Sequence, residues 1–289
     1  MKVMITGARG QLGRELADTA PQNIDIKSCA RQDLDITDSK SVVQWVKDFC
    51  PDVIINAAAY TAVDKAEKEK EQAFAINQDG VRNLAVAANI IGAKLLHIST
   101  DFVFNGQRSE PYTVEALPDP LNVYGASKLA GENILREVMP GRHVIVRTSW
   151  VYSSYGHNFV KTMLRLMKER EKLSVVADQI GGPTWAKGLA RFLWEIAKRN
   201  NFSGTLHWSD AGVASWYDFA IAIFEEAKTK NMLTRDILIS PVPSTAYPTP
   251  AKRPNFSVLD KMLSWEIFDV KAVHWRENLR LMLSELNEK

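Results

Sequence analysis

The chain has 289 residues, 46% of them apolar, enough for one large or two modest domains with a substantial core. Its 36 Lys and Arg stand against 34 Asp and Glu, a net charge of +2 with no long basic run, which argues against nucleic acid or an anionic membrane surface as partner. Cys29 and Cys50 are too few for a disulfide framework and have no metal-ligand spacing. The apolar stretch before Gly7 is too short for a signal-peptide core, and no later run is long enough to span a bilayer. A soluble, cytoplasmic protein with reduced cysteines is expected.

Residues 2–6 read as a short strand that runs into Gly7-Ala8-Arg9-Gly10-Gln11-Leu12-Gly13, followed by an amphipathic helix with Leu12, Leu16 and Ala20 on one side. Glycines at such a turn let a pyrophosphate approach the backbone, and the helix start offers free N–H groups and the positive end of its dipole. The spacing is G-x-x-G-x-x-G, so residues 7–13 form a nucleotide-binding turn by their place between first strand and first helix. A second strand is expected over residues 24–31. An NAD-selective site usually places an acid near its end. This chain has Arg31 there, and Arg9 in the glycine turn, two guanidinium groups suited to a 2′-phosphate. NADPH is therefore the expected cofactor, with NADH accepted through the nearby Asp33 and Asp35.

Thr37 or Asp38 can cap a helix carrying Val42, Val43, Val46 and Phe49. The strand over 52–55 ends in Asn56-Ala57-Ala58-Ala59-Tyr60, whose small side chains let a cofactor lie against the backbone. Residues 64–71 read as a solvated helix face. A helix over 75–91 stops at Gly92, and further strands are expected over 94–99 and 143–147. This alternation is that of a doubly wound parallel α/β sheet, whose ligands gather at the carboxyl ends of the strands. After Trp150 the pattern loosens. Helices are expected over 158–171, 185–199, 216–230 and 273–286, with a turn-rich loop at 179–184 and a proline-rich extended loop at 241–254. The reading is a Rossmann-like domain over 1–150 and a smaller, discontinuous substrate domain over 151–289, with pieces returning to the sheet.

Chemistry concentrates after the strand at 94–99. Thr100 ends an apolar run, and Tyr124 and Lys128 follow on one helix face at i and i+4. An ammonium beside a phenol favours the phenolate. Lowering the phenol from about 10 to near 7 needs about 4 kcal/mol, within reach of one close cation in a partly dry pocket. Thr100 can hold a carbonyl while Tyr124 gives it a proton. Spacing alone would equally fit a surface helix pair; its weight comes from the glycine turn and strand ends around it.

Longer strings carry a family: Leu-Asp-Ile-Thr-Asp (34–38), Asn-Ala-Ala-Ala-Tyr-Thr-Ala-Val-Asp-Lys-Ala-Glu (56–67), Ser-Thr-Asp-Phe-Val-Phe (99–104), Pro-Leu-Asn-Val-Tyr-Gly (120–125), Arg-Thr-Ser-Trp-Val-Tyr (147–152) and Thr-Pro-Ala-Lys-Arg-Pro (249–254). With the glycine turn and Tyr-x-x-x-Lys they resemble the extended short-chain dehydrogenase/reductases, and within them the dTDP-4-dehydrorhamnose reductase family, over essentially the whole chain. The resemblance implies a dTDP-sugar substrate whose 4-keto group is reduced to give dTDP-L-rhamnose, the last step in making that sugar nucleotide. It implies Tyr124 as general acid, Lys128 as the group that lowers its pKa and binds the nicotinamide ribose, and Thr100 as the carbonyl's partner, with Asp101 beside it. Asp35 and Ile36 would line the adenine, and Ala57, Ala58, Ala59, Tyr60, Thr61 and Ile98 the rest of the cofactor. Trp150 would pack on the deoxysugar and Arg253 would meet the diphosphate. Some relatives use a divalent cation such as Mg in dimerisation; no spacing here sets out a metal site, and a homodimer stays open. Two other readings remain: a non-catalytic NADP-binding regulatory subunit, as relatives of these reductases serve for methionine adenosyltransferase, and another nucleotide-sugar ketoreductase or epimerase.

Overall fold

Apolar runs at regular intervals along the chain become the strands of one parallel sheet. The computed structural model describes residues 1–199 and 201–288. Strands β1 (Lys2–Thr6), β2 (Asp25–Cys29), β3 (Val53–Asn56), β4 (Lys94–Thr100), β5 (His143–Thr148) and β6 (Gly204–Trp208) lie in the order β6-β5-β4-β3-β1-β2, and every neighbouring pair is parallel. Successive side chains on a strand face opposite ways. Val3, Ile5, Val53, Ile55, Leu96, Val144 and Val146 therefore build the core on one face, and Met4, Ile54, Leu95 and Ile145 the core on the other. Burial on both faces explains why these strands are continuously apolar rather than alternating.

The main helices are α1 (Gln11–Asp18), α2 (Ser39–Phe49), α3 (Gly80–Ile91), α4 (Val123–Val138), α5 (Phe159–Glu169), α6 (Ala186–Lys198), α7 (Trp216–Thr229) and α8 (Trp275–Asn287). On one face α1 packs with α6; on the other lie α2, α3 and α4. Asp38 caps α2 by accepting from the Lys40 and Ser41 amides, and Gly92 ends α3 at φ 75°. A separate core of Tyr152, Val160, Leu164, Phe219, Ile223, Leu279 and Met282 joins α5, α7 and α8. No helix among the described residues is long and apolar enough to cross a membrane.

Several expectations need correcting. The second strand stops at Cys29, because the Asp33 carboxylate accepts the Ala30 amide and turns the chain there. The helix expected over 75–91 begins earlier: Lys70–Phe74 is helical, and Ala75–Asp79 forms a π-helical turn before α3. The supposed loop at 179–184 contains two short strands, Ile180–Gly181 and Thr184–Trp185, paired with Ala214–Ser215 and Val151–Tyr152. Pro241 lies in a strand, Leu238–Val242, beside Lys172–Val176. Strand β6 pairs with β5 at the sheet's edge, and α6 packs on one face of the sheet.

Candidate active site

Chain direction across the sheet reverses between β1 and β3, which opens a crevice at their carboxyl ends. Gly7 closes one side at φ 71°, and a Cβ there would stand 2.6 Å from the Ala57 backbone, so only glycine lets the turn sit against the end of β3. Gly10 begins α1 without any side-chain cap, which leaves the helix start available to an anion. The crevice encloses about 260 Å³ and is lined by Gly7, Arg9, Gly10, Arg31, Asp35, Ile36 and the Ala57-Ala58-Ala59 run. Leu34 and Ile76 complete it. Arg9 is held by Gln32 at 2.5 Å, and Arg31 lies 3.8 Å from Asp35. Asp35 is turned towards Thr37, whose amide and hydroxyl hold its carboxyl below the usual range. A glycine cradle, an uncapped helix start and two guanidinium groups on one rim fit a phosphorylated dinucleotide.

Thr100 ends β4 and Tyr124 lies in the first turn of α4, which Asn122 caps by accepting the Gly125 amide. The Thr100 hydroxyl lies near enough to the phenol to favour its ionised form. Burial pushes the phenol up to about 12; Thr100 opposes this and the Asp101 charge adds to it. Lys128, one helical turn on, is 2% exposed and donates to the Ile98 carbonyl at 2.6 Å. Desolvation draws its ammonium down to about 7 against the pull of Glu132. The structure sets Thr100 beside Tyr124 and Lys128 one turn on along the same helix, but the electrostatics differ from those of a phenol–ammonium pair. Lys128 points its nitrogen at Ile98 and His97, and burial rather than the cation decides the state of Tyr124.

A larger cavity of about 570 Å³ lies between one face of α5, the strand Lys172–Val176, the start of α7 and the segment carrying Tyr247 and Arg253. Phe159 and Trp216 form aromatic wall and Arg170, Lys172 and Arg253 supply cations. Arg253 is already forked onto Asp64 at 2.8 and 3.0 Å, and donates to Thr249 at 2.5 Å. Trp150 has φ 46°, strained for a bulky residue, and its indole lies flat on Trp216 with ring centres 3.5 Å apart. A Cβ on Gly181 would stand 2.7 Å from that indole.

The RmlD substrate binding domain model matches residues 1–288. The dTDP-4-dehydrorhamnose reductase of Aggregatibacter actinomycetemcomitans is 43% identical over 286 residues, 96% of this chain and 97% of that one. The chain belongs to the dTDP-4-dehydrorhamnose reductase family. Two solved members share its fold. The Clostridium acetobutylicum protein is 40% identical with a TM-score of 0.93, covering 99% of this chain and 100% of its own. The Bacillus anthracis reductase, in complex with NADP, is 43% identical with a TM-score of 0.92, covering 98% and 99%.

Against that family pattern some expected contacts turn inward. Asp101 is 2% exposed, and its oxygens accept from Ser257 at 2.5 Å and Thr100 at 3.1 Å, so it ties the late chain to β4 instead of facing a cavity. The Tyr60 phenol goes to Glu69 at 2.6 Å, while its backbone is held by Asn77 of the π-helical turn. Gln11 accepts from Asn158, Leu12 and Gly13 are buried in the start of α1, and Thr61 is exposed. Trp150 is covered by Trp216, so the indole that borders the large cavity is the later one. Ile76, Phe159 and Trp216 are signalled by no motif, and Leu34 opens the string over 34–38 without a role assigned to it. Only Trp216 had a local cue, its place at the start of an amphipathic helix. Among the described residues, no three His, Cys, Asp or Glu side chains are grouped to hold a metal ion.

Proposed function

We propose that this chain reduces the 4-keto group of dTDP-4-dehydro-L-rhamnose to the alcohol of dTDP-L-rhamnose, with NADPH as reductant. The observation that carries the proposal is the meeting of Thr100 and Tyr124 at the end of β4, with Lys128 one turn on, in a chain of this family. The glycine turn, Arg9, Arg31, Asp35, Ile36 and the alanines after β3 would hold the cofactor's adenosine and diphosphate, and Lys128 its nicotinamide ribose. Bound there, NADPH supplies a hydride. Tyr124, kept protonated by burial, gives its proton to the C4 oxygen, and Thr100 would turn its hydroxyl from Asp101 to donate a hydrogen bond to the same oxygen. The large cavity would take the nucleotide, with Trp216 and Phe159 against the base and Arg253, Arg170 and Lys172 near the diphosphate. In this division of labour residues 1–150 serve the cofactor and 151–289 mainly the sugar nucleotide. Both reactants are water-soluble, in keeping with a cytoplasmic reaction.

The test is NADPH oxidation by purified protein given dTDP-4-dehydrorhamnose, with the product's C4 configuration assigned by NMR. Stoichiometric oxidation with formation of dTDP-L-rhamnose is expected; binding of NADPH without turnover would leave a regulatory protein instead. Cofactor choice has its own test. Arg31→Asp should lower kcat/KM for NADPH about tenfold or more while leaving NADH within a few-fold, the loss of one charge-assisted phosphate contact. An unchanged ratio of the two cofactors removes Arg31 from 2′-phosphate recognition.

A further inference from the structure

His97 lies behind the proton-donating pair, on β4, 0% exposed, with both ring nitrogens in polar contact. Nδ1 is 3.0 Å from the Asn56 amide nitrogen, and Nε2 is 3.3 Å from Lys128 Nζ. The orientation of Asn56 is set by a donor that cannot reverse. Its Oδ1 accepts the Ala58 backbone N–H at 3.1 Å, together with the Thr6 hydroxyl at 2.7 Å. Asn56 must therefore present its NH2 to the ring, and Nδ1 must accept. A neutral imidazole has one proton, which then resides on Nε2 and points at Lys128. If Lys128 were an ammonium, two donors would face each other. As a neutral amine it has a lone pair for the Nε2 proton and still donates to the Ile98 carbonyl at 2.6 Å.

We propose that His97, fixed by Thr6 and Asn56 as its Nε2–H tautomer, is a positioning residue that disfavours the ammonium form of Lys128 in the free protein. The proposal deepens the reading of Lys128 as the partner of Tyr124 and rests on it. Burial acts in the same direction on Lys128, drawing it to about 7, and holds His97 itself neutral. The other groups around Lys128 do not cancel this. Glu132, one turn along α4, favours the ammonium, but its oxygens are already taken by Arg147 of β5, Arg136 and Ser99. Tyr124 is protonated, and Asp101, beyond Thr100, is occupied by Ser257. Lys128 is thus placed to gain or lose a proton around neutral pH, where a free surface lysine stays charged.

Two measurements on the full chain decide it. Ring-nitrogen NMR of the five histidines, with His97 assigned from its loss in His97→Phe, should show His97 as the Nε2–H tautomer across the neutral range. Lysine side-chain NMR should place the Lys128 midpoint near 7 in the parent chain. That midpoint should rise by about one unit or more in His97→Phe, which removes the opposing donor, and in Asn56→Asp, whose carboxylate would draw the ring proton to Nδ1 and free Nε2 to accept. The basic limb of kcat/KM should move up with it. An Nδ1–H tautomer in the parent chain overturns the proposal, as does a midpoint that stays within about 0.3 unit in both variants. The tautomer needs no variant to remain folded beyond the one used for assignment, and Asn56→Asp gives an independent assignment by its ring shift. Because both NMR readouts are taken without substrate, an absence of turnover would count against the reductase reading and leave this one standing.

Discussion

Tyr124→Phe should lose about 10²- to 10⁴-fold in kcat, the range for removing a positioned general acid, while NADPH binds within about twofold of the parent. The substitution deletes one oxygen and leaves the ring against Phe102, 6.0 Å away in edge contact, so the start of α4 has no reason to move. What disappears is the phenolic proton beside Thr100 at the end of β4. Burial keeps that proton on the phenol, pushed up to about 12, through the whole neutral range. A ketone that accepts hydride becomes an alkoxide, far more basic than a phenolate, so the transfer runs downhill even from an acid this weak. The parent enzyme's basic limb should therefore report Lys128, drawn to about 7, and not Tyr124. Single-turnover kinetics beside equilibrium NADPH binding separate the two effects. A kcat within threefold or so of the parent would falsify the acid role and shift it to a group not yet recognised, since so small a loss lies well below that expected for proton transfer.

How much of this was open to reading depends on whether a feature is local. The glycine turn after β1, the Asp38 cap, the stop at Gly92 and the one-face placement of Tyr124 and Lys128 each follow from a few neighbouring residues, and each is present. Periodicity identifies the side of α4 that faces inward but says nothing about what lies across from it. It does not reveal that Lys128 meets His97 and Ile98, so the expected lowering of the Tyr124 phenol rests on that pair in isolation. Trp150 failed similarly: its partner Trp216 comes from α7, and the glycine that admits its ring, Gly181, lies in a two-residue strand with no period to detect. The strand β6 was hidden because an edge strand needs only a short apolar run, here Leu206 and Trp208, and gains its partner, β5, from far along the chain. The π-helical turn at Ala75–Asp79 has no pattern of its own; it exists where Asn77 must reach both Tyr60 and Ser127.

Glu132→Ala should destabilise the fold by about 3–5 kcal/mol in urea denaturation, the cost of leaving a buried charge without its partner. Glu132 is 0% exposed and Arg147 1%. The guanidinium forks onto the carboxylate at 2.9 and 2.7 Å, Ser99 donates to it at 2.6 Å and Arg136 at 2.8 Å. This network joins α4 to β4 and β5 one turn beyond Lys128, so it also sets the register that brings Tyr124 to Thr100. Among the described residues Arg147 pairs with no other carboxylate, and His207 beside it, 3.4 Å away, is held neutral by burial and by that same guanidinium and so supplies no compensating charge. Replacing both partners, Glu132→Leu with Arg147→Met, should cost less than Glu132→Ala alone, because neither charge is then stranded. The pH dependence has a definite sign. Arg147 leads the interactions that overcome desolvation and hold Glu132 below its ordinary 4.5, so its contribution is complete above that value and fades as pH falls through the depressed one. The stability gap between the parent chain and Glu132→Gln should accordingly be largest at neutral pH and shrink as pH falls below 4.5 and through the depressed value. A gap that stayed constant into acid would mean that shape, not charge, holds α4 on the sheet.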